Sequence, residues 1–286
     1  MRLRFHKYEG TGNDFLVLDA TQLPEALAWA RLAPALCDRH RGVGADGLLL
    51  LGPGTLAPWR MRVINADGSE PEMCGNGVRC AVRWWADRGL IGPGPCAIET
   101  LAGVIRAECV GADQVRVAMG RPRWRRAELP AAGPGEAELR DEPFALGGQL
   151  LRFTGVSMGN PHVVAVVPDV AAIPLETWGP LMEHHPTFPA RTNVEFVEVR
   201  GPREAVMRVW ERGAGPTQAC GTGACATLVV LARAGRLARE AAIHVPGGPL
   251  AVAWHDDDEV WLTGEARGVF HGEVNLARLV GSAVVS

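Results

Sequence analysis

Cys74 and Cys220 share one sequence setting. Each precedes Gly-x-Gly and then a long apolar run, as Cys74-Gly75-Asn76-Gly77 and Cys220-Gly221-Thr222-Gly223. Such a turn opens a helix, whose N-terminus carries unpaired N–H groups and roughly half a positive charge. That field lowers a thiol pKa and favours thiolate. It also holds a carboxylate, and glycines let a ligand approach the bare backbone. Two copies point to two thiols facing one anionic ligand. The chemistry open to such a pair is proton transfer on both faces of one carbon. One residue, as thiolate, removes a proton while the other, as thiol, delivers one from the opposite side. The stereocentre inverts, and both helix N-termini stabilise the charge that develops on the carboxylate.

Other readings of the thiols are weaker. Buried, inert core cysteines are common, but that reading does not account for the repeated Cys-Gly-x-Gly context. Zinc would recruit Cys80 and Cys225, yet C-x5-C and C-x4-C differ from structural zinc spacings. Helical positions six and five apart diverge by about 120° and about 140°, so neither pair chelates from one helix. Cys80 and Cys225 read as core filler. A redox dithiol would call for C-x-x-C. The alternative from another class is a binding or redox-sensing protein whose two thiols form a disulfide.

The elements that position these residues come in two copies. Shifting the chain by 146 lays Met61-Arg62-Val63 on Met207-Arg208-Val209, Cys74 on Cys220 and Gly89 on Gly235. A shift of 147 lays Gly12-Asn13 on Gly159-Asn160, and one of 145 lays Ala97-Ile98 on Ala242-Ile243 and Gly103 on Gly248. Common order and small drift indicate two related halves. Each half opens with a Gly-Asn turn and a strand. Further strands, a Gly-rich loop, one helix and a closing strand pair follow. The helices, over about 78–88 and about 224–234, are apolar around most of their circumference and stop at Gly89 and Gly235. The expected fold is α+β: two pseudo-symmetric homologous domains, each a curved, mainly antiparallel sheet wrapped around a central helix, with the active site in the interdomain cleft. Residues 1–120 form the first repeat and 121–286 the second. The Pro-, Gly- and Glu-rich stretch 122–148 reads as connector.

The 286 residues include 47% apolar types and carry a net charge of −3, which excludes wholesale disorder and argues against a nucleic-acid or membrane partner. The N-terminus lacks a signal-peptide pattern, and the odd count of seven cysteines argues against a disulfide framework, so the expected location is cytoplasmic. The basic residues are 28 Arg and a single Lys, Lys7, and there are only six Asn. Five of those six, Asn13, Asn65, Asn76, Asn160 and Asn193, fall in motif-like segments, which marks them for polar work. Arg121, Arg123, Arg125 and Arg126 around Trp124 read as a solvated surface segment, His184-His185 as loop, and Asp256-Asp257-Asp258 as a hairpin turn.

Glu9-Gly10-Thr11-Gly12-Asn13-Asp14-Phe15, DRHRGVGADGLLL (38–50), NADGSEPEMCGNGVRC (65–80), SMGNPHVV (157–164), RTNVEF (191–196) and ERGAGPTQACGTGACA (211–226) together resemble the diaminopimelate epimerase family, essentially end to end. The resemblance implies a cofactor-independent enzyme, free of metal and pyridoxal phosphate, that interconverts LL- and meso-diaminopimelate, and a homodimer. Cys74 and Cys220 would be the acid–base pair. Backbone N–H groups of Gly75-Asn76 and Gly221-Thr222 would hold the reacting carboxylate. Asn13 and Asn160 would orient the reacting end, while Asn65, Asn193, Glu211 and Arg212 would hold the distal amino acid group. His162 would sit beside the chemistry as an auxiliary. The family also implies that the last strand, near 268–286, returns to the first domain. Two positions depart from the family pattern: Gly47 stands where some members carry Gln, and Pro216 where Glu is usual. The closest enzymatic rival is a proline-racemase-like or other amino acid racemase.

Overall fold

The computed structural model describes residues 1–24 and 27–280. The chain divides into two compact units: Met1–Val117 with the C-terminal stretch from Gly264, and Ala118–Thr263.

The first unit begins with β1 (Arg2–Gly10), β2 (Asn13–Asp19), α1 (Trp29–Cys37), β3 (Gly47–Pro53), β4 (Trp59–Asn65) and α2 (Gly75–Asp87). β5 (Cys96–Thr100), β6 (Gly103–Cys109) and β7 (Gln114–Ala118) follow. β1 and β2 join through Thr11 and Gly12, both left-handed at φ 55° and 78°, a pairing that suits a two-residue hairpin.

The second unit contains β8 (Glu142–Leu146), β9 (Gln149–Ser157), β10 (Pro161–Val166), α3 (Leu175–Glu183), β11 (Asn193–Gly201) and β12 (Glu204–Glu211). Then come β13 (Gly215–Pro216), α4 (Gly221–Arg233), β14 (Glu240–Val245), β15 (Gly248–Trp254) and β16 (Val260–Glu265). Finally β17 (Arg267–Asn275) pairs antiparallel with β1, and α5 (Leu276–Val280) ends the description.

The sequence repeat reappears as a repeat of strand register. Phe15 opposes Gly47 on parallel β2 and β3, and His162 opposes Asn193 on parallel β10 and β11. Leu48 opposes Ile64, and Val194 opposes Trp210. After one residue of drift, Trp59 opposes Ile98 and Ala205 opposes Ile243, again in parallel pairs. The remaining pairings described within the units are antiparallel, so each sheet is mainly antiparallel with two parallel joints.

α2 packs on β1, β2, β6 and β17, and α4 on β9, β10, β11, β14 and β15. Burial explains their composition: Val78, Cys80, Ala81 and Val82 in α2, and Ala224 through Val229 in α4, are shut off from solvent. Both helices start three residues earlier than expected. Cys74 and Cys220 are themselves the N-caps, with extended backbone, and the glycines lie in the first turn. Gly89 and Gly235 follow the last turns at φ 66° and 69°, the left-handed C′ conformation.

Three expectations need correction. Each unit has a second helix, α1 or α3, nine residues long with an internal proline, Pro34 or Pro180. α1 belongs to a core with Leu16, Leu18, Leu48 and Leu50, and α3 to one with Phe153, Phe196 and Val194. The connector is partly core: Leu129, Leu139, Phe144 and Leu146 are buried in the second unit. Finally, the Arg/Trp cluster is not uniformly solvated. Arg126 is buried and ion-paired with Glu142, while the Arg233 guanidinium stacks 4.4 Å over Trp124. His184 and His185 do follow the last turn of α3, and Asp256-Asp257-Asp258 does join β15 to β16.

Candidate active site

In the first unit the Cys74 turn meets the Thr11–Asn13 hairpin. Cys74 Sγ accepts from the Gly77 N–H at 3.4 Å, a contact that favours negative charge on sulfur. Asn76, the third residue of the motif, is buried and donates through Nδ2 to Asn13 Oδ1 at 3.2 Å. Asn13 in turn donates to Asp46 Oδ2 at 2.7 Å, and the same oxygen accepts the Asp14 N–H at 3.0 Å. Arg39 binds both carboxylates, at 2.6 Å to Asp14 and 2.8 Å to Asp46, and Lys7 pairs with Asp14. Burial alone would raise the Asp14 carboxyl, but hydrogen bonds from Arg39 and Lys7 hold it well below the usual carboxylate range. The hairpin that presents Asn13 is therefore clamped by charge.

The second unit reproduces the arrangement with different residues. Cys220 Sγ lies 3.6 Å from Thr222 Oγ1, and Asn160 Nδ2 donates to the same hydroxyl at 3.4 Å. Asn160 and Thr222 thus repeat the Asn13–Asn76 contact. Asn160 Oδ1 lies 2.9 Å from His162 Nε2, and His162 Nδ1 lies 2.6 Å from Glu195 Oε1, with both residues wholly buried. Glu211 accepts from Thr217 Oγ1 at 2.5 Å.

The two thiols sit in unequal surroundings. Cys74 is half-buried, whereas Cys220 is 4% exposed. The helix-terminus field expected to favour thiolate does not win at Cys220. Burial pushes this thiol well above its ordinary range, Glu211 and Glu195 add to the effect, and hydrogen bonds from Thr222 and Gly223 only partly oppose it. Burial likewise raises Glu211 against hydrogen bonds from Thr217 and Cys220. Cys80 and Cys225 lie fully buried in their helices.

The residues expected to hold a distal group fall in two places. In the first unit Asn65 ends β4, opposite Gly47, and donates to Ser69 Oγ at 2.9 Å. A Cβ on Gly47 would stand 2.8 Å from the Ile64 carbonyl oxygen, so a longer side chain there requires backbone movement. In the second unit both ends of the Asn193 amide bind backbone, Nδ2 to Pro161 O at 2.7 Å and Oδ1 to Arg212 N at 2.9 Å. Asn193 holds the loop that carries Arg212, whose exposed guanidinium contacts Ala190 O at 3.4 Å. Pro216 lies on the short strand β13, opposite Trp210.

Sequence reading passed over Asp14, Arg39, Asp46, Glu183 and Glu195. Glu183 is buried at the end of α3, where it accepts from Trp210 Nε1 at 2.7 Å and from Gly213 N at 2.8 Å, tying down the Arg212 loop. The single lysine was the available signal for the first group, since Lys7 is buried against Asp14. Among the described residues no three His, Cys, Asp or Glu side chains group as a metal site, and no helix is long and apolar enough to cross a membrane.

Comparison with known proteins identifies the family. The family profile described as Diaminopimelate epimerase matches residues 5–125 and 154–269. A Diaminopimelate epimerase of Heliobacterium modesticaldum is 46% identical over 282 residues, covering 96% of this chain and 100% of the relative. That of Pelotomaculum thermopropionicum is 47% identical over 278 residues, covering 95% and 98%. Among solved structures, a PhzF-family phenazine biosynthesis protein of Bacillus anthracis has a TM-score of 0.69 at 18% identity, covering 96% of this chain and 99% of its own. A hydroxyproline epimerase of Agrobacterium vitis has a TM-score of 0.69 at 17% identity, covering 100% and 98%. At those identities the structural likeness speaks for the two-domain fold alone. The sequence matches, spanning nearly the whole chain and both cysteine motifs, show that the chain belongs to the diaminopimelate epimerase family.

Proposed function

We propose that the protein interconverts LL- and meso-diaminopimelate, a step of lysine and peptidoglycan-precursor biosynthesis, by thiolate/thiol proton transfer at the α-carbon without metal or pyridoxal phosphate. The observation that carries this reading is the duplicated N-cap thiol: one cysteine at the N-terminus of each central helix, in a chain of this family.

In one direction Cys74, as thiolate, takes the α-proton, so a C–H bond breaks and an S–H bond forms. Cys220, as thiol, delivers its proton to the opposite face, leaving a thiolate. The reverse reaction exchanges the roles. The high-lying Cys220 thiol suits the donor role. Negative charge moving from the carbon into the carboxylate falls on the N–H groups of Gly75-Asn76 and Gly221-Thr222, where helix N-termini stabilise it. Asn13 and Asn160 orient the reacting end. Arg212 suits the distal carboxylate because its planar fork binds bidentately, and Glu211 can accept from the distal ammonium. Asn65 completes that end, and Asn193 serves it by placing Arg212. The reading carries with it reduced thiols in a cytoplasmic setting and a homodimer.

The test is direct. Purified protein supplied with LL-diaminopimelate should form the meso isomer and take up solvent deuterium at the α-carbon, without added metal or pyridoxal phosphate. Turnover of proline or hydroxyproline instead, or of none of the three, would overturn the assignment.

A further inference from the structure

We propose that Glu195 is a positioning residue of this site, acting through His162 to fix the side-chain amide of Asn160 at the N-terminus of α4. The inference rests on the epimerase reading for its kinetic consequences. Its structural part stands apart from that reading.

A chain of contacts leads from Glu195 to the thiol: Glu195 Oε1 to His162 Nδ1 at 2.6 Å, His162 Nε2 to Asn160 Oδ1 at 2.9 Å, Asn160 Nδ2 to Thr222 Oγ1 at 3.4 Å, and Thr222 Oγ1 to Cys220 Sγ at 3.6 Å. Donor and acceptor logic orders it. Asn160 Nδ2 donates to the threonine hydroxyl, so Oδ1 is the end that faces the imidazole and it can only accept. His162 Nε2 therefore carries a proton. A ring held at both nitrogens cannot turn, and Glu195 is the group that holds the far nitrogen. Loss of the carboxylate would free the ring and then the Asn160 amide.

The first unit supplies an internal control. At the positions that match His162 and Glu195 in strand register stand Phe15 and Leu49, both buried. The same fold therefore packs this corner with two apolar side chains. A buried polar pair, like a buried ion pair, seldom stabilises a protein more than well-packed hydrophobic residues of similar volume. Here the cost is visible, since Glu195 Oε2 is buried with no hydrogen-bond partner among the described residues. The second unit keeps a costly polar pair where its twin does without one, and that pair leads to Asn160. A stabilising role does not account for it, whereas orientation does.

The test pairs kinetics with a spectroscopic readout in the full-length protein. Glu195→Leu, the residue of the first unit, should lower kcat by about 10- to 100-fold, by analogy with the loss seen when the outer-shell partner of a metal-ligating histidine is removed. KM should change much less. Glu195→Gln, which can still bond to Nδ1, should recover most of the loss. In a His162→Phe background, Glu195→Leu should cost far less than it does alone, because the positioning effect of the carboxylate runs through the ring. In 15N-histidine-labelled protein, a slowly exchanging His162 Nε2–H signal should be present in the parent and in Glu195→Gln, and absent from Glu195→Leu. This signal reads the positioning claim even if diaminopimelate is not turned over. Additive losses in the double variant, a glutamine variant as impaired as the leucine one, or an unchanged ring signal in Glu195→Leu would overturn the proposal. If Glu195→Leu does not fold, the glutamine variant and the His162→Phe/Glu195→Leu double variant, which copies the first unit's packing, decide it.

Discussion

Glu195 stands in the second unit where Leu49 stands in the first. Each presses on the second glycine of its Cys-Gly-x-Gly turn. A Cβ on Gly223 would lie 2.8 Å from Glu195 Oε1, and one on Gly77 would lie 3.0 Å from Leu49 Cδ2. One duplicated backbone thus presents two thiols with opposite backing, a carboxylate behind Cys220 and a hydrocarbon behind Cys74. Two-base inversion needs one sulfur to begin as an acid and the other as a base. On the proposed mechanism, unequal backing would supply that inequality within one duplicated fold.

Alkylation should follow the same order. Thiolate is the reacting species, and Cys220 is both buried and raised by burial, Glu211 and Glu195. Iodoacetamide near neutral pH, followed by peptide mapping over time, should label Cys74 before Cys220. Labelling of Cys220 first would contradict the assigned starting roles.

The glycine contacts predict unequal tolerance. Gly223→Ala would force a methyl group against Glu195 Oε1 at 2.8 Å and Cys220 Sγ at 3.3 Å, whereas Gly77→Ala meets the movable end of Leu49. Gly223→Ala should therefore lower kcat more than Gly77→Ala, by about tenfold or more if one hydrogen bond to a charged group is lost. Equal kcat in the two purified variants would argue against a functional Glu195.

Asp46 should matter through Asn13. It accepts from Asn13 Nδ2 and Asp14 N, and it is held by Arg39. Asp46→Ala removes a charged acceptor worth about 1.5–3 kcal/mol, so kcat/KM should fall by about tenfold to a hundredfold. Asn13→Ala added to Asp46→Ala should cost less than it does alone. Fully additive losses would show that Asp46 acts elsewhere.

Much of this fold was legible in the sequence because the repeat is kept in strand register. The offsets of 147, 146 and 145 are those of the paired strands, from Phe15 and His162 to Thr100 and Val245. The helices α1 and α3 were not legible. Each is only nine residues long, carries an internal proline and lacks a side-chain N-cap bond, so its local signals are those of a loop. Tertiary packing forms them. The connector misled for the same reason, since its Pro and Gly residues hide Leu129 and Leu139, which complete the core. At the site, scarcity identified the asparagines, and the same argument applied to Lys7 would have led to Asp14. Glu195 carried no such signal. In the sequence it sits in a mainly apolar strand, and only the contact with His162 sets it apart.

A pH dependence of stability belongs to the first unit. Burial, then Arg88 and His271, lower His6 from 6.5 to about 4. The folded state thus holds His6 neutral where the unfolded chain binds a proton. Its contribution is full above about pH 6.5 and is lost as pH falls through about 4. Denaturant midpoints between those limits should decline more steeply for the parent than for His6→Phe. Parallel declines would contradict the lowered value.

The central claim, one thiol for each face of the α-carbon, is tested most directly by deuterium exchange in Cys74→Ser and Cys220→Ser. Each variant retains one of the two N-cap thiols. Incubated in deuterated water with the LL isomer and, separately, with the meso isomer, each should exchange the α-proton of only one isomer, and the two variants should differ in which. Exchange of the same isomer by both variants, or of both isomers by either one, would contradict the account.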